Sequence, residues 1–424
     1  MYKYSKKMLR LETKISDYSI KKVSIFLICI MPFINNYNTP FFTYVLLTFL
    51  VLSIVLKIIK CRYLEWDYLL LYDIYLTMIT IISGVLYSFT DSVSLNRSIA
   101  TIILVLFGAL AIERRDIWNI INIYKRIAEL AILFFVVQLL FYYVFNRALM
   151  FRIPFLPLKD ELEMAFGYLE AACSYGMLFP RFPGPFSEPS IYAAYVIPLL
   201  IIYLYDDVKK NIYKIILLCI TVYMSTSGLG FVMLIIEFFL FVGLNSLKNR
   251  KKLLLLPFIF VLLIILFSVA YNINPTVKGM VDTLFVSDST SASKADYRIY
   301  RGFEYFIKMP VISKIFGIGL YNATSFAKIS QISTQYDLQG VFYEYLNGIT
   351  QVLIYSGLIG TVVFALFLIK VYPKRSDIGI ALFGAYVMVI LATGMLFDST
   401  AMIYLLILIC ISKQDEGTVF LQKL

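Results

Sequence analysis

Apolar runs close to the ~20 residues that cross a bilayer recur along the chain, separated by short polar or basic breaks. Windows at 23–34, 41–56, 68–88, 98–112, 127–145, 190–205, 212–224, 229–244, 253–271, 349–369, 378–396 and 399–412 predict twelve membrane-spanning helices. Two intervals interrupt this rhythm, residues 146–189 and residues 272–348. Connections between spans are ordinarily short, so function is expected in these two. There is no internal repeat and no insertion the size of a soluble domain. Residues 1–424 are therefore read as one all-α integral membrane domain, a polytopic helical bundle.

Within the longer interval, 293–308 has the spacing of an amphipathic helix. Ile299, Phe303, Phe306 and Ile307 share one stripe, and Arg298, Arg301, Tyr305 and Lys308 share another. That pattern predicts a helix lying on the outer membrane surface, its cationic and aromatic face toward anionic headgroups or a lipid-linked phosphate. The following Phe316-Gly-Ile-Gly319 reads as an apolar glycine turn dipping into the interface. The shorter interval ends in Arg181-Phe-Pro-Gly-Pro-Phe-Ser-Glu-Pro-Ser190, with Ser187 as the expected N-cap of the sixth span and Pro189 near its first position. A helix N-terminus at this point favours a phosphate or carboxylate, and Gly184 between two prolines allows close backbone approach.

Charge then orients the chain. Of its 38 Lys and Arg residues, 26 fall in the segments that would be inside with a cytoplasmic N-terminus, and 12 fall outside. This is the excess that cytoplasmic loops carry, and it predicts both termini inside. The net charge of +11 is distributed as that rule requires, so it does not point to nucleic acid. Five scattered cysteines imply no disulfide framework.

The candidate chemistry is narrowed by what is missing. There is no histidine, which removes a His general base, a His-ligated metal and a Ser-His-Asp arrangement. No Asp-x-Asp pair or phosphate loop suggests a metal-held sugar phosphate, so no metal or cofactor is expected. What remains is Glu188 as a general-base candidate, or a helix-dipole acid. Arg181 is a phosphate clamp or a snorkelling cation. The Arg298 and Arg301 pair is an anion site or a headgroup face, and Tyr345 with Asn347 is a set of sugar contacts or an aromatic belt with a helix cap. Asp73 and Glu237, inside predicted spans, support a transporter alternative, but their isolation and the lack of a paired cation favour polar contacts within the bundle. A flippase would be expected to line its spans with cations, and none is mid-span.

In order along the chain, Gly-x-Phe-x-Glu-Pro-Ser within 184–190, Ser225-Thr-Ser-Gly-Leu-Gly230, Arg298 and Arg301 before Pro310, Phe316-Gly-Ile-Gly319, Asn347 and Gly357-Leu-Ile-Gly360 resemble the Wzy-type O-antigen and capsule polymerases, within the wider O-antigen polymerase and ligase group. The likeness covers about the C-terminal 60% of the chain; the first five spans match in hydropathy alone. It implies a metal-independent bacterial inner-membrane glycosyltransferase resembling class C enzymes. The substrate implied is an undecaprenyl-pyrophosphate-linked oligosaccharide, polymerised at the outer face, with membrane lipids and a chain-length regulator protein as partners. Arg298, Arg301 and Glu188 would be catalytic; Arg181, Gly184, Ser187, Tyr305, Tyr345 and Asn347 would bind substrate. Related ligases usually carry a functional histidine in the large outer loop, and its absence here favours polymerase over ligase. The serine-arginine pairing often seen near Ser225 in relatives is also missing.

Overall fold

The computed structural model describes residues 2–38, 40–60, 67–87, 92–175, 180–247, 295–334 and 346–415, with isolated positions between 265 and 278. Side chains of 2–17, 160–165 and 295–299 lie outside this description, as do Tyr345 and nearly all of the expected span at 253–271. Every named element among the described residues is helical. The helices are α1 (Tyr2–Ile34), α2 (Pro40–Lys60), α3 (Tyr68–Tyr87), α4 (Ser92–Leu106), α5 (Ile117–Phe145), α6 (Asp160–Ser174), α7 (Pro189–Tyr205), α8 (Val208–Met224) and α9 (Gly228–Leu247). After the undescribed stretch come α10 (Ala295–Lys308), α11 (Val311–Phe316), α12 (Ala323–Ile329), α13 (Gly348–Val371), α14 (Asp377–Ala392) and α15 (Ser399–Asp415).

Six described helical segments, on α2, α3, α4, α5, α9 and α13, are long and apolar enough to cross a membrane. Helices α7, α14 and α15 are apolar but shorter. The chain is thus a multi-pass membrane protein, with α7 and α15 as its innermost helices. From Tyr192 to Leu204 and from Thr400 to Ile411 every residue is buried, as expected of helices that are apolar all round.

Pro198 sits inside α7, where it removes a backbone donor and frees carbonyls in the preceding turn. Two tyrosines repair the gap. Tyr404 of α15 donates to the Ala194 carbonyl, and Tyr124 of α5 donates to the Tyr195 carbonyl while accepting from the Leu199 N–H. Tyr195 in turn donates to the Cys29 carbonyl of α1 at 2.7 Å. A proline kink within a bundle is tolerable when neighbouring helices satisfy the groups it frees, and here that repair also ties four helices together.

Contacts sort the helix ends into two groups. At one, the basic end, Lys21 pairs with Asp116 at 3.0 Å with both side chains buried. Glu113 pairs with Lys57 and with Arg115, Lys413 donates to the Ile112 carbonyl, and Lys370 pairs with Asp67. A π-helical turn, Phe107–Ala111, and a 3-10 turn, Arg114–Asp116, bend the chain between α4 and α5 to present these groups. At the other, the loop end, Asn38 N–H donates to the Pro157 carbonyl and Lys159 N–H to that of Asn36. Tyr37 bridges the same pair of loops, accepting from Ile153 N–H and donating to the Phe151 carbonyl. Burial pushes its phenol up, so it remains a neutral donor.

Candidate functional site

The Arg181 to Ser190 segment lies at the loop end, clamped from two sides. Gly184 has φ of +62°, and its N–H donates to Gln138 Oε1 of α5 at 3.0 Å. Gln138 Nε2 donates to the Leu149 carbonyl, and Asn36 Nδ2 to the Pro185 carbonyl at 2.9 Å. A side chain at 184 would press on the rings of Phe135 and Tyr192, so the glycine is required by conformation and by space. Its N–H is committed to Gln138.

The helix cap is also corrected: Glu188, not Ser187, is the N-cap of α7, with Pro189 first in the helix. Proline is favoured there because an N–H at that position lacks an intrahelical acceptor anyway. Glu188 is exposed and makes no side-chain cap bond; its Oε2 instead accepts from the Ser190 hydroxyl at 2.9 Å. Arg181 is exposed and Ser187 half-buried, while Phe182 and Phe186 are buried. Phe182 meets Tyr142 edge to face, and Phe186 stacks against Phe33 and Tyr195. The aromatics hold the segment and leave its guanidinium and carboxylate accessible. Beneath α6 this segment walls a pocket that Asn36, Gln138, Phe151 and Phe166 also line.

The second group of candidates is on α10. The helix is present and amphipathic, but Arg301 and Tyr305, expected to face out, are buried, while of the apolar stripe Phe303 and Ile307 are exposed and Phe306 packs half-buried against the core. Arg301, Tyr305 and Met309 form the inward line, and Tyr300, Phe303 and Ile307 face out. Arg301 is 1% exposed. Tyr305 Oη donates to the Ala323 carbonyl of α12 at 3.0 Å, bracing the two helices. Lys308 stays at the surface, paired with Glu304 and donating to the Ser333 carbonyl. The Arg298 side chain lies outside the described residues.

Gly302, next to Arg301, lets α10 approach α13 so closely that an added Cβ would overlap the Thr350 side chain. Thr350 belongs to the first turn of α13, capped by Asn347. The Asn347 Oδ1 accepts from Thr350 N–H and hydroxyl, and its Nδ2 donates to the Leu391 carbonyl of α14. Asn347 is therefore the cap that one of its two sequence readings described, buried at the joint between α13 and α14.

Gly357-Leu-Ile-Gly360 lies within α13 and breaks it. Gly357 has φ of +61° and ψ of −168°, so hydrogen bonding is interrupted there. Ile318 N–H donates to the Ile354 carbonyl and Gly319 N–H to that of Tyr355. Gly317, itself at φ +87°, meets the break backbone to backbone, and a Cβ on either glycine would collide with the other strand of chain.

The two intramembrane acids are buried in protein: Asp73 of α3 is 2% exposed and Glu237 of α9 is 0%. Neither Glu237 oxygen has a hydrogen-bond partner among the described residues. A third acid in a span, Glu129 of α5, had no counterpart in the sequence reading; it accepts from Tyr203 and from Lys214. Gln138 was missed as well, because an isolated amide in an apolar run has no spacing to mark it.

Comparison with curated proteins finds no match for this chain. Residues 214–365, by contrast, match the family model described as O-antigen ligase. The match runs from α8 into α13 and includes Arg298, Arg301, Tyr305, Asn347 and the paired glycines 317 and 357, but not the Arg181 to Ser190 segment. Over that stretch the chain is similar to the O-antigen ligase and polymerase group of membrane enzymes.

Proposed function

We propose that this protein is a metal-independent polysaccharide polymerase. It would join undecaprenyl-pyrophosphate-linked oligosaccharide repeat units into O-antigen or capsule at the outer face of a bacterial inner membrane, with both termini cytoplasmic. The observation that carries the reading is Arg301: a guanidinium turned into the protein at the loop end, within the stretch that matches O-antigen ligase. In the transfer, the bond between the anomeric carbon of the growing chain and its pyrophosphate oxygen breaks. A bond forms from that carbon to an acceptor hydroxyl of the incoming unit. Arg301 and Arg298 stabilise charge on the departing pyrophosphate, electrostatic work that a fixed donor performs well where water is scarce. Glu188, accessible and steadied by Ser190, takes the acceptor proton. Arg181 gathers the second anionic group, Gly184 and Ser187 shape the acceptor side, and Tyr305, Tyr345 and Asn347 border the sugar path. Membrane lipids and a chain-length regulator complete the set of partners.

A ligase reading has its own support in the description of the matched family. The absence of histidine favours polymerase, since the resembling ligases usually use one. The deciding experiment incubates purified protein with its lipid-linked repeat unit alone. A ladder of polymer is expected, lost in Arg301→Ala and sharply reduced in Arg301→Lys because a bidentate fork becomes a point charge. Transfer only when lipid A core is added would establish the ligase instead. An unchanged ladder in both Arg298→Ala and Arg301→Ala would overturn the mechanism.

A further inference from the structure

Helices α10 and α11, 14 and 6 residues long, are too short to cross a bilayer, yet they expose the wrong face for water. Tyr300, Phe303, Ile307, Val311 and Ile312 are 60, 40, 68, 68 and 74% exposed, while Arg301, Tyr305, Met309 and Ser313 are buried. A helix at a water interface buries its apolar stripe; this pair does the opposite. The two spans to which the following segment bonds, α3 and α13, expose apolar residues as well, Ile82 and Val85 on the first and Leu358 and Val362 on the second.

Depth agrees with orientation. The segment that follows α11 bonds to Ile354, six residues into α13 from Gly348, and through Leu320 N–H to Thr80 Oγ1, seven residues from the Tyr87 end of α3. At 1.5 Å per residue these positions lie about 9–11 Å below the ends of the two helices. The 20 residues of α3 measure about 30 Å, the thickness of the hydrocarbon layer. Positions 318–320 are thus several ångströms inside the apolar layer. Non-helical backbone is tolerated at that depth only when protein satisfies it, and here it does. Besides the bonds of Ile318, Gly319 and Leu320, the Phe316 carbonyl accepts from Tyr75, Gly317 N–H donates to Ser313, and the Leu320 carbonyl accepts from Ser98.

From this we infer that α10, α11 and the Phe316–Leu320 segment form a re-entrant element seated in the loop-end leaflet, with lipid acyl chains as the partner of its outward apolar stripe. Arg301 is then carried on a helix embedded in the bilayer edge, and an anionic group would have to reach it at membrane level. This seating is independent of the reaction proposed above, and its test reads no activity.

Single nitroxide labels at Ile307→Cys, Ile312→Cys and, as an aqueous control, Arg152→Cys are placed in a cysteine-free full-length chain. The protein is reconstituted in phosphatidylethanolamine/phosphatidylglycerol vesicles. Collision with oxygen, which partitions into lipid, is compared with collision with a water-soluble nickel chelate. The oxygen-to-nickel ratio is expected to be several-fold higher at 307 and 312 than at 152. Equal ratios would overturn the seating, and so would low accessibility to both reagents, the signature of a protein cover. Should the cysteine-free chain fail to fold, hydroxyl-radical footprinting of the unaltered protein in nanodiscs of the same lipids gives a second reading. Tyr300, Phe303 and Phe316 are expected to be oxidised several-fold less than Phe155 and Tyr175; equal oxidation would overturn the proposal.

Discussion

The two ends of this bundle are held together by different physics. At the basic end, charged side chains pair with one another: Lys21 with Asp116, and Glu113 with Lys57 and Arg115. At the loop end, backbone groups are met by amides and hydroxyls, and glycines bring chain against chain. Gln138 holds Gly184, Asn347 caps α13, and Gly317 abuts Gly357. The first arrangement consumes its charges in structure. The second positions the backbone with no carboxylate–cation pair at Arg181 or Glu188 among the described residues, and both groups are exposed.

Four measurements break or sharpen that contrast, in descending size of effect. Removing one member of a buried ion pair strands the other, at about 3–5 kcal/mol, whereas replacing both by apolar residues is close to neutral. Asp116→Ala is therefore expected to lower the unfolding temperature in detergent strongly, and Lys21→Met with Asp116→Leu to restore most of it. If the single variant is as stable as the parent, the basic end does not depend on its charges. At the loop end, Gly317→Ala and Gly357→Ala each combine positive φ with backbone collision, about 2–4 kcal/mol of strain and overpacking. Both should reduce the yield of monodisperse protein, while an alanine at Gly167, where an added Cβ meets nothing, should not.

Gln138→Leu strands the buried N–H of Gly184, which costs about 1–3 kcal/mol. Increased proteolysis between 180 and 190 should report it. The smallest effect is on the acid side. Burial acts to raise the Glu113 carboxyl, but the Lys57 hydrogen bond and the charges of Lys21, Lys57 and Arg115 outweigh it, and the group is held below its ordinary 4.5. A depressed carboxyl contributes its stability above the ordinary value and loses it as pH falls through the lowered one. The stability gap between the parent and Glu113→Gln should be constant near neutrality and close below pH 4.5. A gap that persists through that window would mean the pairs there are not formed in solution.

Much of this arrangement was legible in the sequence. Apolar windows anticipated the long apolar helices among the described residues, because a segment without water must satisfy its own backbone, but not α6, α11 or α12, which lie in the two intervals between windows. Pro189 announced the start of α7 to within a residue, and the 3.6-residue periodicity of 293–308 announced α10. What was misread depended on surroundings. The stripe bearing Arg301 and Tyr305 was expected to face anionic headgroups or a lipid-linked phosphate. It turns inward instead, where it finds α12 and the start of α13. Ser187 and Glu188 are both acceptable caps, and only the path of the chain chose between them.

Residue order alone specified which segments avoid water, how they are punctuated and where cations accumulate, since these follow from local transfer free energies and backbone preferences. It could not say that Gly357 breaks a helix so that Gly317 can meet it, or that Gln138 waits one helix away for the N–H of Gly184. Each of those contacts joins positions far apart along the chain, and its energy exists only once packing has brought both partners within reach. Arg301 shows the division best: its charge and helical register were readable in advance, whereas its burial was set by the neighbours that closed around it.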